Sequence, residues 1–122
     1  MAITTYKELL FWKNAREVSF LVASLIKKLP NERVFWIISD QILRASFSIG
    51  ANIAEGYGKY QGKEYQRFIR MALGSANETE YWLELIKDLY PNIIPSIDLV
   101  IKKNSETIRM LTATLKTLSF KG

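Results

Sequence analysis

Four cations stand closest to any chemistry in this chain. Lys59, Lys63, Arg67 and Arg70 are spaced by four, four and three residues, and the last three fall on one face of any helix that contains them. Such a row suits an anion, above all a phosphate backbone, whose contacts are independent of sequence and driven by counterion release. Tyr57, Tyr60 and Tyr65 lie among the cations and offer rings on which unpaired bases stack. The row also works against its own helix. Glu78, Glu80, Glu84 and Asp88 follow it, so positive charge sits near the N-terminus and negative charge toward the C-terminus. That arrangement opposes the macrodipole, at a few tenths to about 1 kcal/mol per terminal charge. Glu64 relieves the repulsion among the cations only in part. Presentation to an anionic partner is one reason to keep such a row. A solvated face, or one paired with acidic residues of a neighbouring subunit, is the other. The oppositely charged halves also suggest head-to-tail contact between subunits, which a ring closes without free ends.

Other chemistry is thinned by composition. The chain has no cysteine and no histidine, which removes disulfides, thiolate nucleophiles, zinc sites built on thiolate or imidazole, and every arrangement with His as base. Glu55 and Glu78 invite comparison with a di-metal bundle site, but that site needs Glu-x-x-His motifs. No metal, no cofactor and no catalytic residue is expected. The segment Gly56-Tyr57-Gly58-Lys59-Tyr60-Gln61-Gly62 superficially resembles a phosphate-cradling loop. It follows a helix rather than a strand, its glycines do not fit G-x-G-x-x-G, and no Gly-Lys-Ser/Thr ends it. It reads as a helix-to-helix turn. Net charge is +5 over 122 residues, 48% of them hydrophobic, with a pI of about 9.5. This describes one domain with a proper core and a modest preference for polyanions. No signal-peptide pattern opens the sequence, and no uncharged run reaches the roughly 20 residues of a membrane span. A cytoplasmic, membrane-free protein fits.

Four helices must position these residues. The first is predicted from Tyr6 to Leu29, with Thr5 and Glu8 as a capping box. Its core stripe is Phe11, Ala15, Val18, Val22, Leu25 and Leu29, and Lys27 and Lys28 suit its last turn. Pro30 stops it, and Asn31 is the predicted cap of the second helix, about residues 32–56. Phe35, Ile38, Ile42, Ala45, Ile49 and Ile53 form the apolar face of that helix. Phe35, Trp36 and Phe47 together exceed what one seam needs, so some of them cover either the core or a second surface such as a subunit contact. The third helix, about 63–90, repeats Tyr65, Ile69, Ala72, Ala76, Thr79, Leu83, Ile86 and Tyr90. Gly74 costs it about 1 kcal/mol relative to Ala, which a close helix crossing would offset. Pro91 and Pro95 mark the last turn. The fourth helix, about 93–120, carries Ile97, Ile101, Ile108, Leu111, Leu115 and Leu118, with Asn104 as the one polar intruder. Short connections make neighbours antiparallel, so an all-α, up-down-up-down four-helix bundle spanning residues 1–122 follows.

The second helix holds the most informative stretch. Gln41, Ala45, Ser48, Asn52 and Glu55 step by four and three beside the apolar stripe. A polar, small-residue seam admits another helix closely, and its polar groups need partners, since an unpaired buried one costs about 1–3 kcal/mol. The seam is either packing with satisfied polar groups, or a device fixing register within the bundle or between subunits. Gly74 and Ser75 are the natural place to receive it. Arg44, beside the seam and within reach of Asp40 and Ser48, suits a buried pair with Glu55 or Glu78, because its planar fork matches a carboxylate.

At these residues a resemblance appears. Arg44-Ala45, Ser48-Ile49, Asn52-Ile53-Ala54-Glu55-Gly56, Leu73-Gly74-Ser75 and Glu78 look like the signature of a bacterial four-helix-bundle family often encoded by intervening sequences inside 23S ribosomal RNA genes. That family is similar to the accessory variability protein of diversity-generating retroelements. The resemblance runs from about Tyr6 to Leu118 and departs at Gly50, where a bulkier residue or Pro is expected. It implies a homopentameric ring of bundles and no enzymatic activity. For the retroelement relatives it implies binding to nucleic acid and to a reverse transcriptase. The expected function is therefore a non-enzymatic oligomeric bundle that associates with RNA or DNA through its basic face. The alternative is a homo-oligomeric adaptor that binds a protein through exposed aromatic residues such as Trp36 and Phe47.

Overall fold

A computed structural model of the chain describes residues 5–58 and 62–121. Lys59 and Tyr60 of the expected basic face lie outside the described residues. Four long helices fill the rest: α1 (Leu10–Ile26), α2 (Arg33–Gly56), α3 (Gly62–Leu89) and α4 (Ser96–Lys121). Single-turn 3-10 segments at Tyr6–Glu8 and Pro91–Ile93 precede α1 and α4. Among the described residues there is no strand, and no helix is long and apolar enough to cross a membrane.

Direction follows from which residues meet. Ser19 bonds to the Ser46 carbonyl on α2, while a side chain at Gly50 would meet Trp12; later residues of α2 therefore face earlier ones of α1. Ser48 meets Ser75 and Gly56 faces Phe68 across α2 and α3. Asn104 bonds to Ala76, and Gln66 to Leu118, across α3 and α4. Asn14 bonds to Lys103 and Thr107, and Lys28 to Ser96, across α1 and α4. Each pair runs antiparallel, and the helices alternate up and down as the short connections require.

The predicted stripes form the core. Ala15, Val18, Val22, Leu25 and Leu29 meet Ile38, Ile42, Ile49 and Ile53, then Ile69, Ala72, Ala76, Leu83 and Ile86. On α4 the seam is rotated from the predicted one. Ile97, Val100, Asn104, Thr107 and Leu111 are buried, whereas Ile101, Ile108, Leu115 and Leu118 pack at its edge. Thr107 is the second buried polar residue there, and it accepts from the Asn14 amide at 2.6 Å.

Helix ends differ from expectation for local reasons. The first helix is broken at Leu9, whose extended backbone (ψ 128°) separates the 3-10 turn from α1. The break brings Tyr6 edge-on against Trp12 at 5.1 Å. Thr5 caps that turn by accepting from the Lys7 amide at 3.2 Å, while the Glu8 amide bonds to the Thr5 carbonyl rather than to the Thr5 hydroxyl that a capping box would offer it. Helix α1 stops at Ile26, leaving Lys27 and Lys28 just past it rather than in its last turn. Glu32, not Asn31, is the N-terminal cap of α2. The Asn31 side chain is instead committed to the Trp36 indole N–H at 2.6 Å. Helix α4 begins at Ser96, after the second 3-10 turn and a cis Ile94–Pro95 bond.

Candidate nucleic-acid interface

The face expected to meet phosphate lies on the N-terminal half of α3. Lys63, Arg67 and Arg70 are all exposed on it. Arg67 is partly engaged: its guanidinium reaches both oxygens of Glu64 at 3.4 Å, the Met71 sulfur at 3.5 Å, and lies 4.9 Å from the centre of the Phe68 ring. Lys63 and Arg70 make no ion pair among the described residues. Two charges soften the conflict with the helix dipole, Glu64 in the first turn and Lys87 in the last. Tyr57 and Tyr65 are not free platforms. Their rings pack on each other at 6.4 Å. Burial, and then the neighbouring Tyr57, push the Tyr65 phenol above its ordinary value.

The structure adds cations that single-helix reading missed. Because α4 runs antiparallel beside α3, with Gln66 donating to the Leu118 carbonyl at 3.3 Å and Asn104 to the Ala76 carbonyl, the exposed Lys116 of α4 stands near the height of Arg67 and Arg70, and the exposed Arg109 lies further along, toward Ala76. The signal was available only by pairing the start of the third helix with the end of the fourth.

The polar seam of α2 faces α3, at the rim of the core. Ser48 donates to Ser75 at 2.8 Å and to the Ala45 carbonyl at 2.9 Å. Asn52 donates to the Ser48 carbonyl at 2.9 Å. Arg44 joins Gln41, at 3.0 Å, to Glu78, which also accepts from the Trp82 indole at 3.0 Å. The Arg44–Glu78 pair is thus made, but on the surface, with the Arg44 side chain 58% exposed. The partner it takes is the carboxylate on α3 rather than Asp40 on its own helix. Glu55 lies exposed on the last turn of α2.

The two signature glycines have different surroundings. A methyl at Gly56 would stand 2.6 Å from Cβ of Phe68, so α3 approaches the backbone there. Gly74 receives nothing: it is exposed, and no other helix or neighbouring side chain comes within 4 Å of where its Cβ would lie. Ser75 alone meets the seam. Within the bundle the helical cost of Gly74 is not offset, so Gly74→Ala is expected to raise stability by about 1 kcal/mol, read as a melting temperature several degrees higher. Gly50 has ordinary room beside Trp12, at 3.5 Å.

Glu78 also sets a pH dependence. The Trp82 indole, followed by Arg44, holds its carboxyl below the ordinary value against the opposing pull of burial. A depressed carboxylate contributes stability above its unfolded pKa of about 4.3 and loses it as pH falls through its lower folded value. Wild type is therefore expected to lose more stability than Glu78→Gln on acidification below about pH 5, by about 0.5 kcal/mol for a surface pair. Urea denaturation at several pH values measures it.

Comparison with known proteins settles the relationship. The family model of the 23S rRNA-intervening sequence protein matches residues 7–113. This chain belongs to that family. A solved structure, described as a protein of unknown function from the S23 ribosomal protein family of Bacteroides thetaiotaomicron, superposes with a TM-score of 0.80 at 31% identity. The match covers 88% of this intervening-sequence protein and 99% of the relative. No curated protein matches. Among the described residues, this family member groups no three His, Cys, Asp or Glu side chains that could hold a metal ion.

Proposed function

We propose that this 23S rRNA-intervening sequence protein is a non-enzymatic, cytoplasmic homo-oligomer that associates with nucleic acid, holding phosphates on Lys63, Arg67 and Arg70, with Lys59 four residues earlier in the sequence as a further candidate. The observation that carries the reading is the outer face of α3, where Lys63 and Arg70 stand exposed without an ion-pair partner among the described residues. The family's own description, which refers to 23S rRNA, supports an RNA setting. The resemblance to pentameric relatives supports a ring.

The test is a titration of labelled RNA at several salt concentrations, with native mass measured by light scattering. Three or four phosphate contacts on a single strand give a slope of about −2 to −3 in log K against log salt. Reversing Lys63, Arg67 and Arg70 to glutamate should weaken binding about tenfold or more at low salt. Affinity that stays flat with salt would overturn the phosphate reading, and a monomer would overturn the ring.

A second reading is favoured by the aromatic residues on α2. Trp36 and Phe47 are 57% and 50% exposed, which suits an adaptor that docks a protein. Loss of a protein partner in Phe47→Ser, with RNA indifferent at low salt, would favour it.

A further inference from the structure

The cations on α3 do not form an isolated row, because a groove of 640 Å³ lies between α3 and α4. Leu73 lines it from α3, and Thr112, Leu115, Lys116 and Ser119 line it from α4. Leu73 and Leu115 are half-buried against the core, so the floor is apolar and held in place. The rims are cationic. Lys116 stands on the α4 side, and Arg70, one turn before Leu73, on the α3 side; both are exposed. The Gln66–Leu118 bond fixes the antiparallel register and puts these two at nearly the same height. Because the helices are antiparallel, Lys63 and Arg109, each seven residues away, carry positive charge toward opposite ends of the groove, one on each side. The Thr112 hydroxyl spends its proton on the Ile108 carbonyl at 2.8 Å, which leaves its oxygen able to accept.

We propose that this groove seats a segment of single-stranded RNA. Unpaired bases lie on Leu73 and Leu115, phosphates sit between the Arg70 and Lys116 rims, and a ribose 2′-hydroxyl donates to Thr112 Oγ1. The proposal rests on the nucleic-acid reading and narrows it. A duplex stacks its bases inside and offers the rims only phosphate, so it gains nothing from the floor. A single strand uses both.

The experiment is fluorescence anisotropy on the full chain at low salt. The probes are a labelled oligouridylate of about ten nucleotides, the matching oligodeoxyuridylate, and a blunt RNA duplex of equal length. The expected result is binding of the oligouridylate about tenfold tighter than the duplex, and a few-fold tighter than the deoxy strand. Leu73→Gln should weaken the single strand about fivefold and leave the duplex unchanged. Lys116→Gln, at an exposed position, should weaken both probes and preserves the test if Leu73→Gln melts early. Equal binding of single strand and duplex, unmoved by Leu73→Gln, would overturn the groove while leaving the phosphate face standing. Equal binding of ribose and deoxyribose strands would overturn the choice of RNA. Absence of binding to any probe would overturn the nucleic-acid reading itself, and the groove with it.

Discussion

Replacing Gly56 with valine is expected to lower the stability of the bundle by about 2–3 kcal/mol, the upper part of the range for overpacking. The cause is steric. A Cβ at this position would stand 2.6 Å from Cβ and 3.1 Å from Cγ of Phe68, and Phe68 is itself buried on α3. Neither atom is the far end of a flexible chain, so α2 and α3 must separate. Gly56 is not among the residues of positive φ, unlike Gly58 and Gly62, so the loss does not come from backbone strain. Gly56→Ala should lose less, because one methyl intrudes rather than three carbons and alanine regains some helix propensity. Urea denaturation followed by circular dichroism checks both, with an unchanged m-value marking loss of stability rather than a change of the unfolded state. A valine variant as stable as wild type would mean that Phe68 has room to rotate away.

This position also shows what a sequence can and cannot disclose. The core stripes were legible because burial imposes the four-and-three period directly: Val18, Ile42, Ile69 and Leu83 recur on it and are fully buried. The seam was legible for the same reason, and a pair between Arg44 and one of the two signature glutamates followed from matching residue types, though not which of Glu55 and Glu78 it would be. The depth of that pair was not legible, since exposure depends on the angle at which α2 meets α3. Of the two glycines, one was read in part and one was not. Gly56 does end α2, as a helix-to-helix turn beginning there requires, but it is also the close approach to α3, while Gly74, which looked like a crossing point, faces open space. Composition marks both as small, but only the packing tells which one has a neighbour. Lys116 was invisible for a related reason. A stripe is read on one helix at a time, whereas a groove belongs to two, and its membership waits on the register that the Gln66–Leu118 contact supplies. Helix ends were lost where a side chain found a better local bond, as Asn31 did with Trp36.

The second large effect is expected at Asn104, where two substitutions should move stability in opposite directions. Asn104 is 1% exposed. Its amide nitrogen donates to the Ala76 carbonyl at 3.0 Å, while Oδ1 finds no partner among the described residues. A desolvated acceptor of this kind costs about 1–3 kcal/mol, whereas the one bond made returns about 1 kcal/mol net. Asn104→Leu removes both at similar volume and should stabilise the fold by about 1 kcal/mol. Asn104→Ala removes them too but leaves a cavity, so it should fall about 2–5 kcal/mol below the leucine variant, with wild type between. Urea denaturation of the three proteins orders them, and a leucine variant weaker than wild type would show that Oδ1 is satisfied in solution. The bond to Ala76 gives the residue another role. A contact of apolar side chains alone would tolerate sliding by a turn between α3 and α4, while the buried Asn104 amide, like the Gln66–Leu118 bond nearer the end of α4, accepts only the register in which a carbonyl stands opposite. The leucine variant should therefore be more stable but less uniquely packed, seen as broadened amide resonances near Ala76 and a shallower unfolding transition. Sharp resonances and an unchanged transition would show that the Gln66–Leu118 bond and the apolar core fix the register without it.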